Sequence, residues 1–172
     1  EWADTKNIDS SITTATNNTG TLTLEGSSTV TGQVGVSGTS LKEINAGVAG
    51  SSATFANDVY ATNLDVEGTG TVNLDGKFTG TAVRYNADGT VILADTKNID
   101  SSVTTTTNNT GTLSLEGSST VTGQVGASGA SLKEINAGVA GTTSTFNSNV
   151  YASNLNMTGA GTVVLNSDLT GN

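Results

Sequence analysis

The chain repeats itself with a period of 91 residues, and this repeat limits the folds that it can adopt. "ADTKNIDSS" begins at Ala3 and again at Ala94, and 57 of the 79 residue pairs in 3–81 and 94–172 are identical. We divide residues 1–172, taken as one solenoid fragment, into a complete unit at 3–93 and a truncated unit at 94–172. Repeats of this kind bury apolar side chains by stacking on their neighbours, so the pattern favours a stacked array.

A shorter pattern recurs inside each unit: Thr, an aliphatic residue, any residue, Leu, and then a polar turn. It is found in "TLTLEG" (21–26), "TVNLDG" (71–76), "TVILAD" (90–95), "TLSLEG" (112–117) and "TVVLNS" (162–167). Alternation of this kind is typical of a strand with one buried face, and the Gly, Asn, Asp and Ser residues that follow are typical of turns. The sequence therefore predicts an all-β fold, a parallel β-solenoid of about 7–8 coils.

The spacing of the pattern predicts four coils in each unit. They are Thr21–Ser40, Leu41–Gly70, Thr71–Gly89 and Thr90–Gly111, with 20, 30, 19 and 22 residues. We expect the long Leu41–Gly70 coil to carry an extra strand or a bulged loop. We also expect Asn side chains to form ladders between stacked coils.

The segment "AVRYNADGTVIL" (82–93) allows two interpretations. Alternating residues around Asp88 and Gly89 are a hairpin signal. "TVIL" also fits the coil pattern, so we favour a corner of the solenoid.

Composition and charge exclude several classes of function. Thr, Ser, Asn and Gly make up more than half of the residues, but the chain has no Pro and keeps regularly spaced aliphatic residues, so we expect it to fold. A net charge of −9 with Arg84 as the single Arg argues against nucleic acid as a partner. The absence of Cys and His excludes disulfides and Cys or His metal sites, and we expect no cofactor. No apolar stretch is long enough for a membrane-spanning helix, so we expect no direct membrane insertion.

Asp65, Glu67 and Asp75 form the densest acidic cluster, and paired carboxylates are what glycan hydrolysis requires. The second unit has Asn156, Thr158 and Asn166 at these places. We favour solvated turn carboxylates over catalysis and predict that the chain is not an enzyme; a polysaccharide-acting enzyme remains the less favoured alternative.

Four other features are interpreted structurally. Glu25, Glu116 and the "SLKEINAG" blocks (40–47 and 131–138) recur in both units, and Lys42 and Glu43 are expected at an edge with Leu41 and Ile44 pointing inwards. "NADG" (86–89) lacks a full set of calcium ligands, which favours a turn. "SITTATNNTG" and "SVTTTTNNTG" resemble the Thr faces of ice-binding solenoids, but occur only once per unit. "NNT" (17–19 and 108–110) matches a glycosylation acceptor, which we discount because we expect a prokaryotic origin.

The series "GTLTLEGSSTVTGQVG … SLKEINAG … TFANDVYATNL … GTVNLDGKFTGT … VRYNADGTVILAD" resembles the passenger region of bacterial autotransporters. It is most similar to rickettsial surface cell antigens of the outer membrane protein A and B kind, and the resemblance covers nearly the whole chain. It implies a right-handed parallel β-helix on the cell surface, anchored to the outer membrane through a barrel that is not in this fragment. It also implies a role as adhesin or surface coat, and it carries over no catalytic residue.

The leading hypothesis is therefore a rigid stalk and adhesin that contacts a host cell-surface protein or glycan and packs against neighbouring repeats. Its binding loops are expected around Val48–Thr62 and Val139–Ser153. The aromatic residues proposed there as partner contacts are Phe55, Tyr60, Phe146 and Tyr151, with core packing as the competing interpretation. The alternative hypothesis is a purely structural coat or filament repeat without a receptor. Trp2 stands where the repeat would place Leu93, and was interpreted as a cap or an edge of the fragment.

Overall fold

A computed structural model describes residues 5–171, so Trp2 and the start of the first unit lie outside the described residues. Within 5–171 the chain forms sixteen strands and no helix. The strands are β1 Thr19–Thr23, β2 Ser28–Val30, β3 Leu41–Ala46, β4 Ser52–Phe55, β5 Val59–Val66, β6 Thr71–Leu74, β7 Phe78–Tyr85, β8 Thr90–Leu93, β9 Asn98–Thr105, β10 Thr112–Leu115, β11 Thr120–Val121, β12 Leu132–Ala137, β13 Thr143–Phe146, β14 Val150–Met157, β15 Thr162–Leu165 and β16 Leu169–Thr170.

All pairings between these strands are parallel, and each strand pairs with strands one turn before or after it in the chain. Hydrogen bonding links them in two series of eight, β1-β3-β5-β7-β9-β11-β13-β15 and β2-β4-β6-β8-β10-β12-β14-β16. This arrangement is a β-solenoid of about eight turns, as predicted.

The register of the pairs divides the solenoid into three faces, which follow one another cyclically along the chain. Face A stacks Leu22, Ile44, Leu64, Val83, Val103, Val125, Val150 and Leu169. Face B stacks Ile8, Val30, Phe55, Leu74, Leu93 and Leu115. Face C stacks Ile12, Val34, Val59, Phe78, Ile99, Val121, Phe146 and Leu165. Long strands such as β5 bend at a corner and contribute to two faces, with Val59 on face C and Leu64 on face A.

The three faces enclose one continuous apolar core. Its members are mostly Val, Leu, Ile and Ala, with Phe55, Phe78, Tyr85 and Phe146 as the largest buried rings. Full burial of such a side chain stabilises a fold by roughly 1.5–3 kcal/mol. Stacking supplies this burial to a chain in which only 4% of residues are aromatic.

One 91-residue unit covers four turns and one additional face. Val30 lies on face B, and the fourth turn from it ends at Leu115 on the same face. Val121 is the counterpart of Val30 in the second unit, but it lies on face C, paired with Ile99 and Phe146. Equivalent residues of the two units are therefore displaced by one face around the solenoid axis, a third of a turn.

This displacement corrects the expectation of four coils per unit. The segment Leu41–Gly70 contains β3 on face A, β4 on face B, and β5 on faces C and A. The segment therefore covers one complete turn of three faces and then a fourth face. This confirms the prediction of an extra strand there.

Two kinds of loop project from the turn that joins Val30 to Phe55 and from the equivalent turn of the second unit, which joins Val121 to Phe146. We call residues 36–39 and 127–130 the hairpin loops, because Val36 pairs antiparallel with Thr39 and Ala127 with Ala130. We call residues 48–51 and 139–142 the turn loops, each closed by a hydrogen bond from its last backbone N–H to its first carbonyl, 3.0 Å long in both.

The segment around Asp88 and Gly89 is a corner of the solenoid, as we favoured. β7 ends before it on face A and β8 begins after it on face B, and each pairs in parallel with other turns. The two strands do not pair with each other, so the hairpin alternative is wrong.

Candidate functional site

The four aromatic residues proposed as partner contacts separate into two groups. Phe55 and Phe146 are each 1% exposed and lie in the core. Partner contact is wrong for these two and the competing interpretation, core packing, is confirmed, because strand alternation turns them inward beside Ala53 and Ser144. A partner at the surface of the folded chain cannot contact them.

Tyr60 and Tyr151 are half-buried and reach the surface. Their backbone N–H groups donate to Val34 and Val125, 2.7 Å in each case, which holds both residues against the preceding turn. Tyr60 lies on face C and Tyr151 on face A. The two units therefore present this side chain in different directions.

Asp65 is not a solvated carboxylate. It is 2% exposed and lies under Arg84, whose Nε and Nη2 donate to its two oxygens. Glu43 approaches the same guanidinium, with Oε2 3.8 Å from Nη2. The hydrogen bond to Asp65 raises the pKa of Arg84, with the carboxylates of Asp65, Glu43 and Glu67 adding to the effect. The expectation of a solvated turn residue is wrong for Asp65, because its partner Arg84 lies 19 residues away and no motif links the two positions.

The other two acids are exposed. Glu67 accepts a hydrogen bond from Asn86, 3.2 Å long, just beyond face A. Asp75 follows Leu74 on face B and so lies one face further on. The structure therefore does not bring the three acids to one place.

Asp88 belongs to a structural turn, as expected for "NADG". Its Oδ1 accepts from the backbone N–H of Gly111 at 3.1 Å, and its Oδ2 from Lys133 at 2.7 Å. The hydrogen bond from Lys133 lowers the pKa of Asp88. Within 5–171, no group of three or more acidic, His or Cys side chains is arranged to hold a metal ion.

The "SLKEINAG" blocks form β3 and β12, and their apolar residues point inward as predicted. The expectation of an edge is wrong, because each of these strands pairs with a strand on both sides. Leu41 is 3% exposed and Ile44 is fully buried, whereas Lys42 is exposed. The Thr run of the second unit alternates between inside and outside, since Thr105 is buried and donates from Oγ1 to the carbonyl of Thr107 at 3.0 Å. Such a run does not make a flat Thr face.

A shallow groove runs along face B of the second unit, and sequence reasoning missed it. We call it the face B groove; it is lined by Ser114, Leu115, Glu116, Asn136, Val139 and Thr158. These residues come from three successive turns, β10, β12 and the end of β14. The register pairs Ser114 with Asn136 and Asn136 with Asn156, at spacings of 22 and 20 residues, and Thr158 follows two residues after Asn156. No constant spacing in the sequence therefore marks the groove.

Asn side chains along this face hydrogen-bond from turn to turn. Asn156 Nδ2 donates to Asn136 Oδ1 at 3.1 Å, and Asn136 Nδ2 donates to Ser114 Oγ at 3.4 Å. A second pair, Asn166 to Asn147 at 2.8 Å, lies on another corner. The predicted Asn ladders are therefore confirmed.

No family model, curated protein or solved structure matches the chain. The structural account consequently rests on the chain itself. Across residues 5–171, no helix has the length and apolar character needed to cross a membrane.

Proposed function

We propose that this chain is a repetitive surface module of a bacterial autotransporter passenger, acting as a rigid stalk and as an adhesin to host cells. In this proposal it stands at the cell surface and is anchored through an outer-membrane barrel outside the fragment. The resemblance of its motifs to rickettsial surface cell antigens supports this assignment.

The observation that carries the proposal is the unbroken register of the three faces. Each interior turn pairs with a turn on both sides, and the apolar core runs through them as one cluster. At about 4.8 Å per turn, eight turns give a rod roughly 38 Å long. Such a rod grows by a fixed length with every repeat, which suits a spacer that projects a binding surface.

The turn loops are the places where we propose contact with a host cell-surface protein or glycan. Ala49 and Ala140 are exposed at their tips. The half-buried Tyr60 and Tyr151 are a separate candidate contact, because they lie beside Gly35 and Gly126 at the base of the hairpin loops. Amphipathic aromatic rings at a surface suit protein contacts.

The second candidate is a coat or filament repeat without a receptor. It is favoured by the burial of Phe55 and Phe146, which removes two of the four aromatic contacts. We propose no catalytic activity, because the most buried carboxylate, Asp65, is held by Arg84 and Asp75 lies on another face.

The test is adhesion of fragment-coated beads to cultured animal cells, compared with beads that carry an unrelated acidic solenoid. We expect excess adhesion that soluble fragment competes away. The variant A49R/A140R places charge on both turn loops and should abolish it. The matched variant S37R/S128R adds the same charge to the exposed hairpin loops and should retain adhesion; its loss would instead place the contact beside Tyr60 and Tyr151.

No excess adhesion would contradict the adhesin proposal and leave the coat or spacer role. Adhesion that survives A49R/A140R would contradict the assignment to the turn loops.

A further inference from the structure

The face B groove has the form of a binding site for an extended ligand. Ser114, Asn136 and Thr158 present polar side chains on three successive turns, and the half-buried Val139 contributes apolar surface beside them. Leu115 is 2% exposed and belongs to the core beneath the groove. Glu116 stands at the rim and is exposed. A concave surface with a few convergent polar groups is the usual setting for ligand binding.

Apart from Glu116 at the rim, the polar groups in and beside the groove are neutral and retain bonding capacity. Each Asn amide has two N–H donors and two acceptor lone pairs, and the Asn156–Asn136–Ser114 ladder uses only part of them. The ladder fixes the two Asn side chains and Ser114 in place, and Thr158 Oγ1 donates to the carbonyl of Ala137 at 3.2 Å, so a ligand need not order these groups on binding.

The corresponding surface of the first unit is charged and occupied by internal contacts. Asp65 and Glu67 stand where the second unit has Asn156 and Thr158. Arg84 pairs with Asp65 and approaches Glu43, and Asn86 donates to Glu67. The two units therefore differ in charge at these positions, with two acids in the first unit and two neutral side chains in the second.

We propose that the face B groove binds a neutral oligosaccharide, laid along the solenoid axis. The turns advance by about 4.8 Å, close to the advance of one sugar ring along an extended glycan, so successive rings meet successive turns. The amide and hydroxyl groups suit sugar hydroxyls, and the half-buried Val139 suits the C–H face of one ring. The net charge of −9 disfavours acidic glycans. This inference rests on the proposed adhesin function and names a ligand class for it.

The test is an NMR titration of the 15N-labelled chain with cellotetraose and maltotetraose, and with a heparin tetrasaccharide as the acidic probe. We expect a neutral probe to shift the amide signals of Ser114, Asn136, Val139 and Thr158 in a saturable manner, with a dissociation constant on the order of 1 mM. We expect the heparin probe to leave them unchanged.

The variant N156D/T158E gives the second unit the acids of the first, at two exposed positions. It should weaken binding by at least about tenfold. The control T62S gives the first unit the residue that the second unit has at the equivalent position, Ser153. It should bind the sugar as tightly as the parent chain does. Far-UV circular dichroism of each variant verifies the fold.

The absence of saturable shifts with either neutral probe at tens of millimolar would overturn the proposal, as would unchanged binding by N156D/T158E or equal binding of heparin. If N156D/T158E loses the sugar but still adheres to cells, the groove is upheld as a sugar site and adhesion belongs to the loops. If the beads do not adhere but the chain binds the sugar, the adhesin proposal is wrong and the proposal of a sugar site in the groove is upheld.

Discussion

At the residue scale, the ring of Tyr85 and the backbone of Gly111 fit closely together. Tyr85 is 1% exposed, and its hydroxyl donates to the carbonyl of Thr112 at 2.6 Å. Burial raises the pKa of its phenol, so the group remains a neutral donor. Gly111 has φ +88°, and a Cβ there would lie 2.5 Å from Cγ of the ring. Its counterpart Gly20 has φ +76°, but a Cβ would meet open space.

We therefore expect G111A to destabilise the fold more than G20A. Both changes force a side chain into the left-handed region, at about 1 kcal/mol. Only G111A adds a steric conflict with a buried ring, for a total of roughly 2–4 kcal/mol. Urea unfolding followed by far-UV circular dichroism measures both, and equal losses would contradict the packing argument.

The stability of the fold also depends on the ion pair between the buried carboxylate of Asp65 and Arg84. We expect R84Q to cost roughly 2–4 kcal/mol of unfolding free energy, towards the lower end because the Arg84 side chain is 39% exposed. The substitution leaves the Asp65 carboxylate, which is 3% exposed, without the guanidinium that donates to both of its oxygens.

The control for this prediction is D65N/R84Q, since the second unit uses Asn156 at the position of Asp65. Removing both charges should recover much of the loss. A double variant as unstable as R84Q alone would show that Arg84 acts by packing and not by charge.

At the scale of the strand, the repeat provides matched pairs that differ only in how they are covered. Leu74 in β6 and Leu165 in β15 are counterparts in the two units. Leu74 is fully buried between Phe55 and Leu93, whereas Leu165 is 37% exposed.

We expect L74A to lower the free energy of unfolding by roughly 2–5 kcal/mol, because it opens a cavity in the core. L165A should cost about 1 kcal/mol or less, because water already reaches that side chain. Chemical denaturation of the two variants gives the difference, and losses within 0.5 kcal/mol of each other, taken as about the error of such a comparison, would contradict it.

Strand alternation allowed much of the fold to be predicted from the sequence. The Thr-aliphatic-x-Leu pattern located β6, β8, β10 and β15, and their inward Leu and Val residues. The same alternation would have placed Phe55 inside, since it shares a face with Ala53. The face B groove and the Asp65–Arg84 pair could not be predicted, because both depend on which residues meet across turns of 19 to 25 residues. Those registers are set by loop lengths, which the pattern does not specify.

At the scale of the whole molecule, the displacement of one face per repeat can be measured directly. Spin labels on S37C/S128C report the separation of the two hairpin loops, and the natural chain has no Cys to interfere. Four and one third turns give an axial separation of roughly 21 Å. Because the loops lie at different corners, we expect a distance clearly longer than this by electron–electron double resonance.

The control pair is T29C/S114C, two positions on face B that lie four turns apart. It should give about 19 Å plus the reach of the labels. A distance of only about 21 Å plus the reach of the labels is what two loops in line along the axis would give. If the hairpin pair gave that distance, the displacement by one face would be wrong.

The same displacement changes what repetition achieves in an array of these units. A partner that lies flat along one side meets the same loop again only after three units, so neighbouring copies cannot be engaged together as a single strip. Adding units instead places equivalent loops on successive faces, so that they point in different directions around the solenoid axis. An array built in this way offers a contact in every direction and needs no particular rotation about its long axis to meet an approaching surface.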